Sequence, residues 1–532
     1  MQLLNDNLHS DHRPTFMKTE SHNTVTDETD ETMDSSSEHS SAACAITDAS
    51  VISENWSDLN ETDLLSDLSS PPLSELIDRG VIILERYIVN VMAWRGEKVA
   101  HLLTATETAH GGRVSPDATS DGVRIHTIAL NPLQKSELIQ YVSTIAGMYK
   151  DVLYHNFEHA SHVLASSDSL IAMLKRNSNR INRGSMSTIS SSSKMSMLED
   201  SYEGSDDYKI HLSTFGISSC PMTHLALVFS ALVHDVEHQG VGNNQLVTEE
   251  DPLAVKYNGK SVAENNSHDI SLEILNESRY SNLRQSIFGY QDVESSDARK
   301  EMEHDEKLFH KVMLDVIHAT DISSTDRLEG NKEKWRKAFQ DANANFDSRS
   351  NCHCQFSVAK TSRRSSVPPD GVTNIGNIYR RRMSMTCPSK ILKQCPACSV
   401  YLDECMVHMD YLRASSVLEQ MIQASDVAHV MQSWPIFMKW NTKLYDELWA
   451  ANLSGRGPDV SAGWFKGQIG FFDHYIEPLA KRLEQCGVFG PLGALFLENV
   501  HDNRMRWLEE GEERCREMHE RVLNWQGDKS QG

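Results

Sequence analysis

The sequence predicts an all-α protein, and two observations lead to that fold class. From about residue 131 onward, long stretches carry apolar residues at helical spacing, with polar interruptions between them. No run of alternating apolar and polar residues bounded by hairpin turns occurs in this part of the chain. We therefore expect a compact multi-helix domain in which helices pack on helices around an apolar core.

The segments of the chain differ in composition. Residues 1–70 are rich in Ser, Thr, Asp, Glu and Asn, so we expect an acidic disordered region that cannot offset its ordering entropy. Residues 71–124 are interpreted as a lead-in helix and linker, since apolar residues recur at helical spacing over 73–94. Two later interruptions, at 178–208 and 342–400, are interpreted as loop insertions because they are rich in polar residues.

Composition excludes several classes of protein. The chain has 532 residues, enough for one large catalytic domain or two smaller ones. Its 51 basic and 75 acidic residues give a net charge of -24, which argues against a non-specific nucleic-acid binder. The start lacks a secretory signal, no apolar run is long enough for a membrane span, and the ten cysteines form no regular framework. We therefore expect a cytoplasmic protein.

Two short segments, residues 154–159 and 234–238, supply four histidines and the aspartate Asp235. If each segment is helical, the two histidines within it lie one turn apart on one face. Asp235 follows the apolar run 225–233, so these polar groups lie at the end of a helix predicted to be buried. Buried imidazoles and carboxylates are costly unless they are paired or bind a metal.

Hydrolysis of a phosphate ester would use such a set of residues. The reaction needs a hydroxide at neutral pH, neutralisation of the phosphoryl charge and a proton for the leaving oxygen, and two metals about 4 Å apart with one acid meet these needs. His159, His234 and Asp235 are candidate ligands, and Asp426 is the best candidate from a distant helical pattern. His155 is a candidate general acid.

The alternative is that each histidine is a hydrogen-bonded core residue. For a single histidine on an apolar face, that interpretation is favoured. Five such residues within two short segments favour a metal site instead.

Taken together, these motifs resemble the class I cyclic-nucleotide phosphodiesterases. The matching stretches occur in the family's order, at residues 155–159, 234–240, 319–321, 425–426 and 468–471. The general metal-phosphohydrolase group shares the His-Asp pair but lacks the later glutamine and phenylalanine. The resemblance implies a compact, all-α phosphodiesterase domain of the HD-type metal-phosphohydrolase fold over roughly residues 125–525.

The resemblance also implies two divalent metal ions, usually zinc and magnesium, with manganese as an alternative to magnesium. His159, His234, Asp235 and Asp426 match the ligands of the tightly held ion, and Asp235 also bridges to the second ion. The residues that match holders of the second ion's water ligands are His238, Glu264 and Thr320.

Further positions follow from the same resemblance. His155 matches the proton donor to the leaving 3′ oxygen, and Glu447 matches the carboxylate that orients this donor. The residues that match the substrate pocket are Tyr154, Gln468, Phe471, Leu444 and His429. Within a helix, an amide at 468 and a ring at 471 share one face, so the amide could pair with a base edge while the ring stacks on the base. The alternative is that Phe471 belongs to the core and that Gln468 is solvated.

The sequence departs from the family's pattern at several positions. His429 replaces a usual asparagine near the base, so base preference is open between cyclic AMP and cyclic GMP. Gln239 replaces a proline that commonly precedes Gly240, and residues 266–267 replace a usual pair of histidines. None of these departures removes a predicted metal ligand.

The insertion at 342–400 carries two weaker signals. Basic residues precede Ser366 and Ser384, which predicts acceptor sites for a basophilic protein kinase, against the alternative of a solvated basic loop. Residues 352–354 and 395–398 could together form a structural zinc knot, although the stretch between them is long and irregular.

The sequence and the resemblance together predict an enzyme that hydrolyses 3′,5′-cyclic AMP, cyclic GMP or both to nucleoside 5′-monophosphates in cyclic-nucleotide signalling. One alternative is a nucleotidase or another metal-phosphohydrolase with the same His-Asp core. A second alternative is a non-catalytic sensor that binds the cyclic nucleotide without turnover, but such a module has no need of an acid beside the metals.

Overall fold

The computed structural model describes residues 70–109, 128–187, 213–289, 296–341 and 396–529. Three predictions lie largely outside these ranges: the disordered region predicted at residues 1–70, the kinase sites at Ser366 and Ser384, and the zinc knot within residues 352–398.

Fifteen α-helices make up most of the described ranges, and no β-strand occurs among them. The prediction of an all-α protein is confirmed. The helices are α1 Leu73–Ala109, α2 Pro132–Met148, α3 Phe157–Ser187, α4 Pro221–Val233, α5 Asn243–Thr248, α6 Pro252–Lys256, α7 Val262–Leu275, α8 Ser281–Phe288, α9 Ser296–Ala319, α10 Thr325–Trp335, α11 Pro396–Asp426, α12 Trp434–Leu453, α13 Trp464–Phe471, α14 Glu477–Gln485 and α15 Ala494–Lys529.

Helix α4 lies at the centre of the core. Every residue from 222 to 233 is buried, as the apolar run predicts. Its neighbours are α1, α3 and α9, which surround it on several sides. Complete burial of a leucine such as Leu225 or Leu232 stabilises the fold by about 1.5–3 kcal/mol. The polar residues that follow α4 are therefore held at a fixed point in the core.

Helix α1 is the predicted lead-in helix, and it extends beyond the predicted range of 73–94. Its apolar face buries Leu84, Ile88 and Val91 at helical spacing. This face packs against α2, α3 and α4, so α1 contributes to the same core as the helices that carry the predicted site.

The predicted insertions overlap with helices at their edges. Helix α3 continues through residue 187, into the insertion predicted at 178–208, and α11 begins at residue 396, within the insertion predicted at 342–400. The remaining residues of both insertions lie outside the described ranges. Polar composition predicted these edges poorly because most polar residues lower helix stability by less than about 1 kcal/mol each. A helix anchored in the core can extend through several of them.

Among the described helices, none is both long and apolar enough to cross a bilayer.

Candidate active site

Three distant parts of the chain meet where α3 begins, α4 ends and α11 ends. His159 Nε2 lies 3.0 Å from Asp426 Oδ1, and His234 Nε2 lies 3.5 Å from the same oxygen. Asp235 Oδ2 lies 3.1 Å from His234 Nε2 and 3.8 Å from His159 Nε2. The four side chains predicted as metal ligands therefore converge on one point.

The helical interpretation of residues 154–159 is wrong at His155. This residue precedes α3, and Asn156 caps the helix: its Oδ1 accepts hydrogen bonds from the backbone N–H groups of Glu158 at 3.0 Å and His159 at 3.2 Å. An asparagine in this place satisfies N–H groups that a helix leaves free in its first turn. Helix α3 therefore begins at Phe157, two residues before His159, and presents the His159 side chain to the site.

The helical interpretation of residues 234–238 is also wrong. Helix α4 ends at Val233, and a turn follows in which Glu237 has a φ of 65° and Gly240 a φ of 69°. The turn directs His238 toward His155 rather than along the helix, and the two ring centroids lie 3.9 Å apart. The predicted histidines therefore meet through a turn and not through helical spacing.

The donor atoms fit a divalent cation. His234 Nδ1 lies 3.0 Å from the carbonyl oxygen of Ala231, a contact that suits a protonated Nδ1 and leaves the lone pair on Nε2. His234 Nε2 is buried and makes no well-aligned hydrogen bond, although it faces Asp235 and Asp426. Two imidazole nitrogens and carboxylate oxygens at this spacing are a donor set that binds zinc.

The charges of His159 and Asp426 suit metal ligands. Burial opposes a charge on His234, but the charge of Asp235 raises the pKa of His234 well above its usual value, so a cation must displace its proton. Burial lowers the pKa of His159, and this effect outweighs the opposing influence of Asp426, so the imidazole is neutral near pH 7. Burial would raise the pKa of Asp426, but the neighbouring imidazoles of His159 and His234 hold it below its usual value. A neutral imidazole and a charged carboxylate are the forms that coordinate a cation.

A second polar cluster consists of His155, His238 and Glu447. His155 Nδ1 contacts Glu447 Oε1, while Glu447 Oε2 accepts hydrogen bonds from the backbone N–H groups of Tyr154 at 2.6 Å and His155 at 3.0 Å. Burial opposes a charge on His155, but the negative charge of Glu447 raises the pKa of His155 to about 9. In return, His155 lowers the pKa of Glu447 to about 2, against the effect of burial.

The remaining residues predicted near the metals lie on α7, just after α9 and, for His238, on the turn after α4. Glu264 in the first turn of α7 accepts a hydrogen bond from Asn243 Nδ2 at 2.9 Å, and burial followed by the charge of Asp321 raises its pKa to about 8. Thr320 is buried, and its hydroxyl donates to the carbonyl oxygen of Ile317 at 2.8 Å. Burial and the charge of His155 lower the pKa of His238 to about 4.

The residues predicted for the purine lie on several elements. Gln468 and Phe471 are on α13, where Gln468 is buried and Phe471 stacks on Tyr475 with ring centroids 5.4 Å apart. Leu444 packs against a small buried cluster that includes Tyr154. The ring of His429 lies 6.1 Å from that of Tyr154.

Several residues around the site were missed in the sequence. The ring of Trp440 stacks on His162 at 5.1 Å, and His162 lies three residues after His159 on α3. The helical spacing of these two histidines was an available signal. Glu158 pairs with Lys439 at 2.9 Å and also with Lys443, which lies one turn before Glu447 on α12. The Trp440 side chain is buried.

Several known proteins are similar to this chain. A protein described as probable 3′,5′-cyclic-AMP phosphodiesterase pde-4, from Caenorhabditis elegans, is 20% identical over 356 residues, which are 65% of this chain and 36% of that protein. The 3′,5′-cyclic-AMP phosphodiesterase 4C of Mus musculus is 20% identical over 378 residues, which are 69% of this chain and 38% of that protein. This chain therefore spans little more than a third of the length of these curated relatives.

Two further proteins are similar to parts of this chain. The cGMP-specific 3′,5′-cGMP phosphodiesterase 3 of Dictyostelium discoideum is 24% identical over 214 residues, which are 40% of this chain and 33% of that protein. The crystal structure of the phosphodiesterase domain of a rhodopsin phosphodiesterase from Salpingoeca rosetta aligns with a TM-score of 0.40 at 17% identity. The alignment covers 73% of this chain and 83% of that one.

The strongest comparison is with a family model. The model described as 3′5′-cyclic nucleotide phosphodiesterase matches residues 208–488, just over half of the chain. The matched range includes His234, Asp426 and Gln468, while His155 and His159 precede it. The chain therefore belongs to the 3′5′-cyclic nucleotide phosphodiesterase family.

Proposed function

We propose that this protein hydrolyses 3′,5′-cyclic nucleotides to nucleoside 5′-monophosphates. The single observation that carries the proposal is the convergence of His159, His234, Asp235 and Asp426 on one point. Family membership supports the same reaction.

In this proposal, the four converging side chains hold a divalent cation, for which zinc is the ion that best suits imidazole and carboxylate donors. Asp235 would also contribute to a second site, for magnesium or manganese, and His238, Glu264 and Thr320 would help to hold that ion through water. When bound, the two ions supply a hydroxide at neutral pH and neutralise charge on the phosphoryl oxygens. The carboxylates of Asp235, which is buried, and Asp426, which is partly buried, would balance the charge of the cations.

His155 is the proposed general acid. Its pKa of about 9 keeps the ring protonated at neutral pH, and its side chain is a quarter exposed, whereas that of Glu447 is buried. Glu447 fixes the ring by contacting Nδ1, so that Nε2 is free to donate a proton to the leaving 3′ oxygen. Two backbone N–H groups hold Glu447 itself in place.

The purine end of the proposed site uses α13. A side-chain amide such as Gln468 can donate to and accept from a purine edge, and the ring of Phe471 offers a stacking surface. Tyr154, Leu444 and His429 complete the proposed pocket. Cyclic AMP is the first substrate to test, since two relatives at 20% identity carry that substrate in their names, and cyclic GMP is the second.

Two proposals concern the setting of the reaction. Phosphorylation by a basophilic protein kinase at Ser366 or Ser384 would add about two negative charges at each site. A cytoplasmic location would give the enzyme access to cyclic nucleotides that act as signals.

The experiment measures turnover and metal content in parallel. Purified protein supplied with zinc and magnesium is incubated with cyclic AMP, cyclic GMP or the nucleoside 5′-monophosphates, and products are separated by chromatography. We expect 5′-monophosphates from the cyclic substrates and no hydrolysis of the monophosphates themselves. Hydrolysis of the monophosphates alone would favour a nucleotidase, and tight binding without turnover would favour a sensor.

A variant pair tests the ligand assignment. Asp426→Ala removes one proposed ligand, so we expect loss of turnover together with loss of bound zinc measured by elemental analysis. Asp315→Ala is the matched control, because Asp315 forms an ion pair with Lys311 on α9 and lies outside the converging group. Full activity and full zinc content in Asp426→Ala would overturn the assignment.

A further inference from the structure

The turn at residues 237–240 is strained and depends on contacts outside itself. Glu237 has a φ of 65°, and a residue other than glycine is strained in this left-handed region. Gly240 also has a positive φ, of 69°. A turn with this backbone conformation keeps one position only if neighbouring groups hold it.

A hydrogen-bonded group, here called the Arg456 brace, supplies such contacts. It consists of Gln239, Asp251, Glu249 and Arg456. Gln239 Nε2 donates to Asp251 Oδ2 at 3.1 Å, and Gln239 Oε1 accepts from Arg456 Nη2 at 2.9 Å. Arg456 also donates to both carboxylate oxygens of Glu249, at 2.8 and 2.7 Å. One amide therefore links the turn to the α5–α6 connection and to the segment after α12.

The braced turn touches the proposed proton donor. The His238 ring packs on the His155 ring at 3.9 Å between centroids, and the backbone N–H of Gly240 donates to His238 Nδ1 at 3.2 Å. A Cβ atom added to Gly240 would lie 3.5 Å from Glu447 Cδ. A shift of the turn would therefore reach both His155 and Glu447, the two residues of the proposed acid.

The Arg456 brace also connects the end of α12 with the turn after α4, which carry Glu447 and His238. Glu447 lies on α12, and Arg456 follows the end of that helix, where its backbone N–H donates to the carbonyl oxygen of Ala451 at 2.8 Å. His238 lies on the turn after α4. Because Arg456 contacts Gln239 directly, the end of α12 and the turn are held to each other.

We propose that Arg456 and Gln239 are positioning residues, which hold the turn at 237–240 against the His155–Glu447 pair. The inference rests on the proposed function, since it assigns these residues a part in the same reaction. Neither residue contacts the proposed metal ligands. Gln239 occupies the place of a proline in the resembling family, and a proline ring restricts the backbone covalently where this chain uses side-chain hydrogen bonds.

We expect loss of the Arg456 brace to lower the catalytic rate more than the stability of the fold. The side chains of Arg456 and Glu249 are 32% and 28% exposed, and an ion pair that accessible contributes little to stability. A misplaced catalytic group can lower a rate by about tenfold to a hundredfold without preventing substrate binding. The two effects are therefore separable by experiment.

The test compares Arg456→Ala with Arg514→Ala in the full-length protein. Arg514 is a matched control, since it is similarly exposed and pairs with Glu510 and Glu517 at 2.9 Å on α15. For Arg456→Ala, we expect kcat for cyclic nucleotide to fall about tenfold while KM changes less than about twofold. Zinc content and melting temperature should match those of the control.

Two further measurements separate positioning from a general structural role. In the Arg456→Ala protein, backbone amides of residues 236–242 should exchange hydrogen faster, as measured by mass spectrometry, and those in α15 should not. Adding Gln239→Pro to Arg456→Ala should restore much of the lost kcat, because the proline ring fixes φ at about -65° without the brace.

Suppose that the wild type hydrolyses cyclic nucleotide. An unchanged kcat in Arg456→Ala, or unchanged hydrogen exchange at residues 236–242 of that variant, would then overturn this inference and leave the proposed function intact. A wild-type protein that hydrolyses no cyclic nucleotide would instead overturn the proposed function, and the catalytic part of this inference with it.

Discussion

The charge state of His155 is set mainly by one neighbour. Burial favours the neutral ring, yet Glu447 raises the pKa of His155 to about 9 through its charge and its contact with Nδ1. A proton donor must be protonated when the leaving group departs, so activity should be lost as the pH rises through this pKa. The alkaline limb of the rate profile therefore reports on the Glu447 carboxylate.

Glu447→Gln should move that limb to lower pH. The amide oxygen can still accept the two backbone hydrogen bonds, but the negative charge is gone, so burial dominates and the pKa of His155 falls. We expect the alkaline limb of kcat to move down by at least about one unit, equivalent to about 1.4 kcal/mol of lost charge interaction. The measurement is kcat for cyclic nucleotide between pH 6 and pH 10.

Asp446→Asn is the matched control on the same helix. Asp446 also carries a buried carboxylate but pairs with Arg521, where Arg521 Nη1 lies 2.8 Å from Asp446 Oδ2. Its loss should leave the pH profile in place. If Glu447→Gln and wild type share one alkaline limb, His155 is not the group that the limb reports.

Residue identity in the site was more predictable than geometry. His159, His234 and Asp426 were predicted because buried polar groups in apolar surroundings need a partner. In the structure, the Nε2 atoms of both histidines lie within 3.5 Å of Asp426 Oδ1. The helical spacing proposed for the histidines was wrong at both segments, since an asparagine cap and a left-handed turn intervene. An asparagine before a helix is a sequence signal for a cap, so the Asn156 cap was predictable. The turn at residues 237–240 depends on tertiary contacts and was not.

At the scale of elements, a buried polar contact fixes α1 to α3. The hydroxyl of Tyr87 donates to Asp168 Oδ1 at 2.6 Å, and Arg86 Nη2 lies 2.5 Å from the same oxygen. Burial and the charge of Asp168 raise the pKa of Tyr87 well above its usual value, so the hydroxyl remains a donor. The lead-in helix is thereby joined to the helix that presents His159.

Substitutions at this contact should differ in cost. Asp168→Ala leaves the Arg86 guanidinium and the Tyr87 hydroxyl without their shared acceptor, and should lower the free energy of unfolding by about 3 kcal/mol. Tyr87→Phe removes one donor and leaves the ion pair, so a loss of about 1 kcal/mol is expected. Unfolding in urea, followed by circular dichroism, measures both. Equal and small losses would show that α1 is held by its apolar face alone.

The elements themselves were predictable where periodicity or burial was strong. The apolar run at residues 225–233 became the buried helix α4, and the periodic pattern at 73–94 became part of α1. The last residues of α3 and the first residues of α11 could not be predicted in this way. Polar residues there weaken a helix only slightly, so packing against the core determines how far the helix extends.

At the scale of the whole molecule, the site depends on packing between residues far apart in sequence. His159 and Asp426 are 267 residues apart, and Gln239 and Arg456 are 217 apart. The first pair was predicted because a buried carboxylate without a partner is expensive, which gives it a signal in the sequence. The second pair lies near the surface and gives no such signal, so the Arg456 brace became apparent only when the helices were in place.

Metal removal should therefore destabilise the whole core and not only the site. The proposed ligands come from α3, the end of α4 and the end of α11, so a bound cation links three helices that unfolding separates. At a free zinc concentration a hundred times the dissociation constant, the bound ion stabilises the folded state by about 2.7 kcal/mol. We expect a chelator to lower the melting temperature by about 5 °C, and added zinc to restore it. Asp426→Ala should show little of this zinc-dependent shift, whereas Asp315→Ala should retain it in full. A melting temperature that does not respond to chelator or zinc in the wild type would contradict a metal held between these helices.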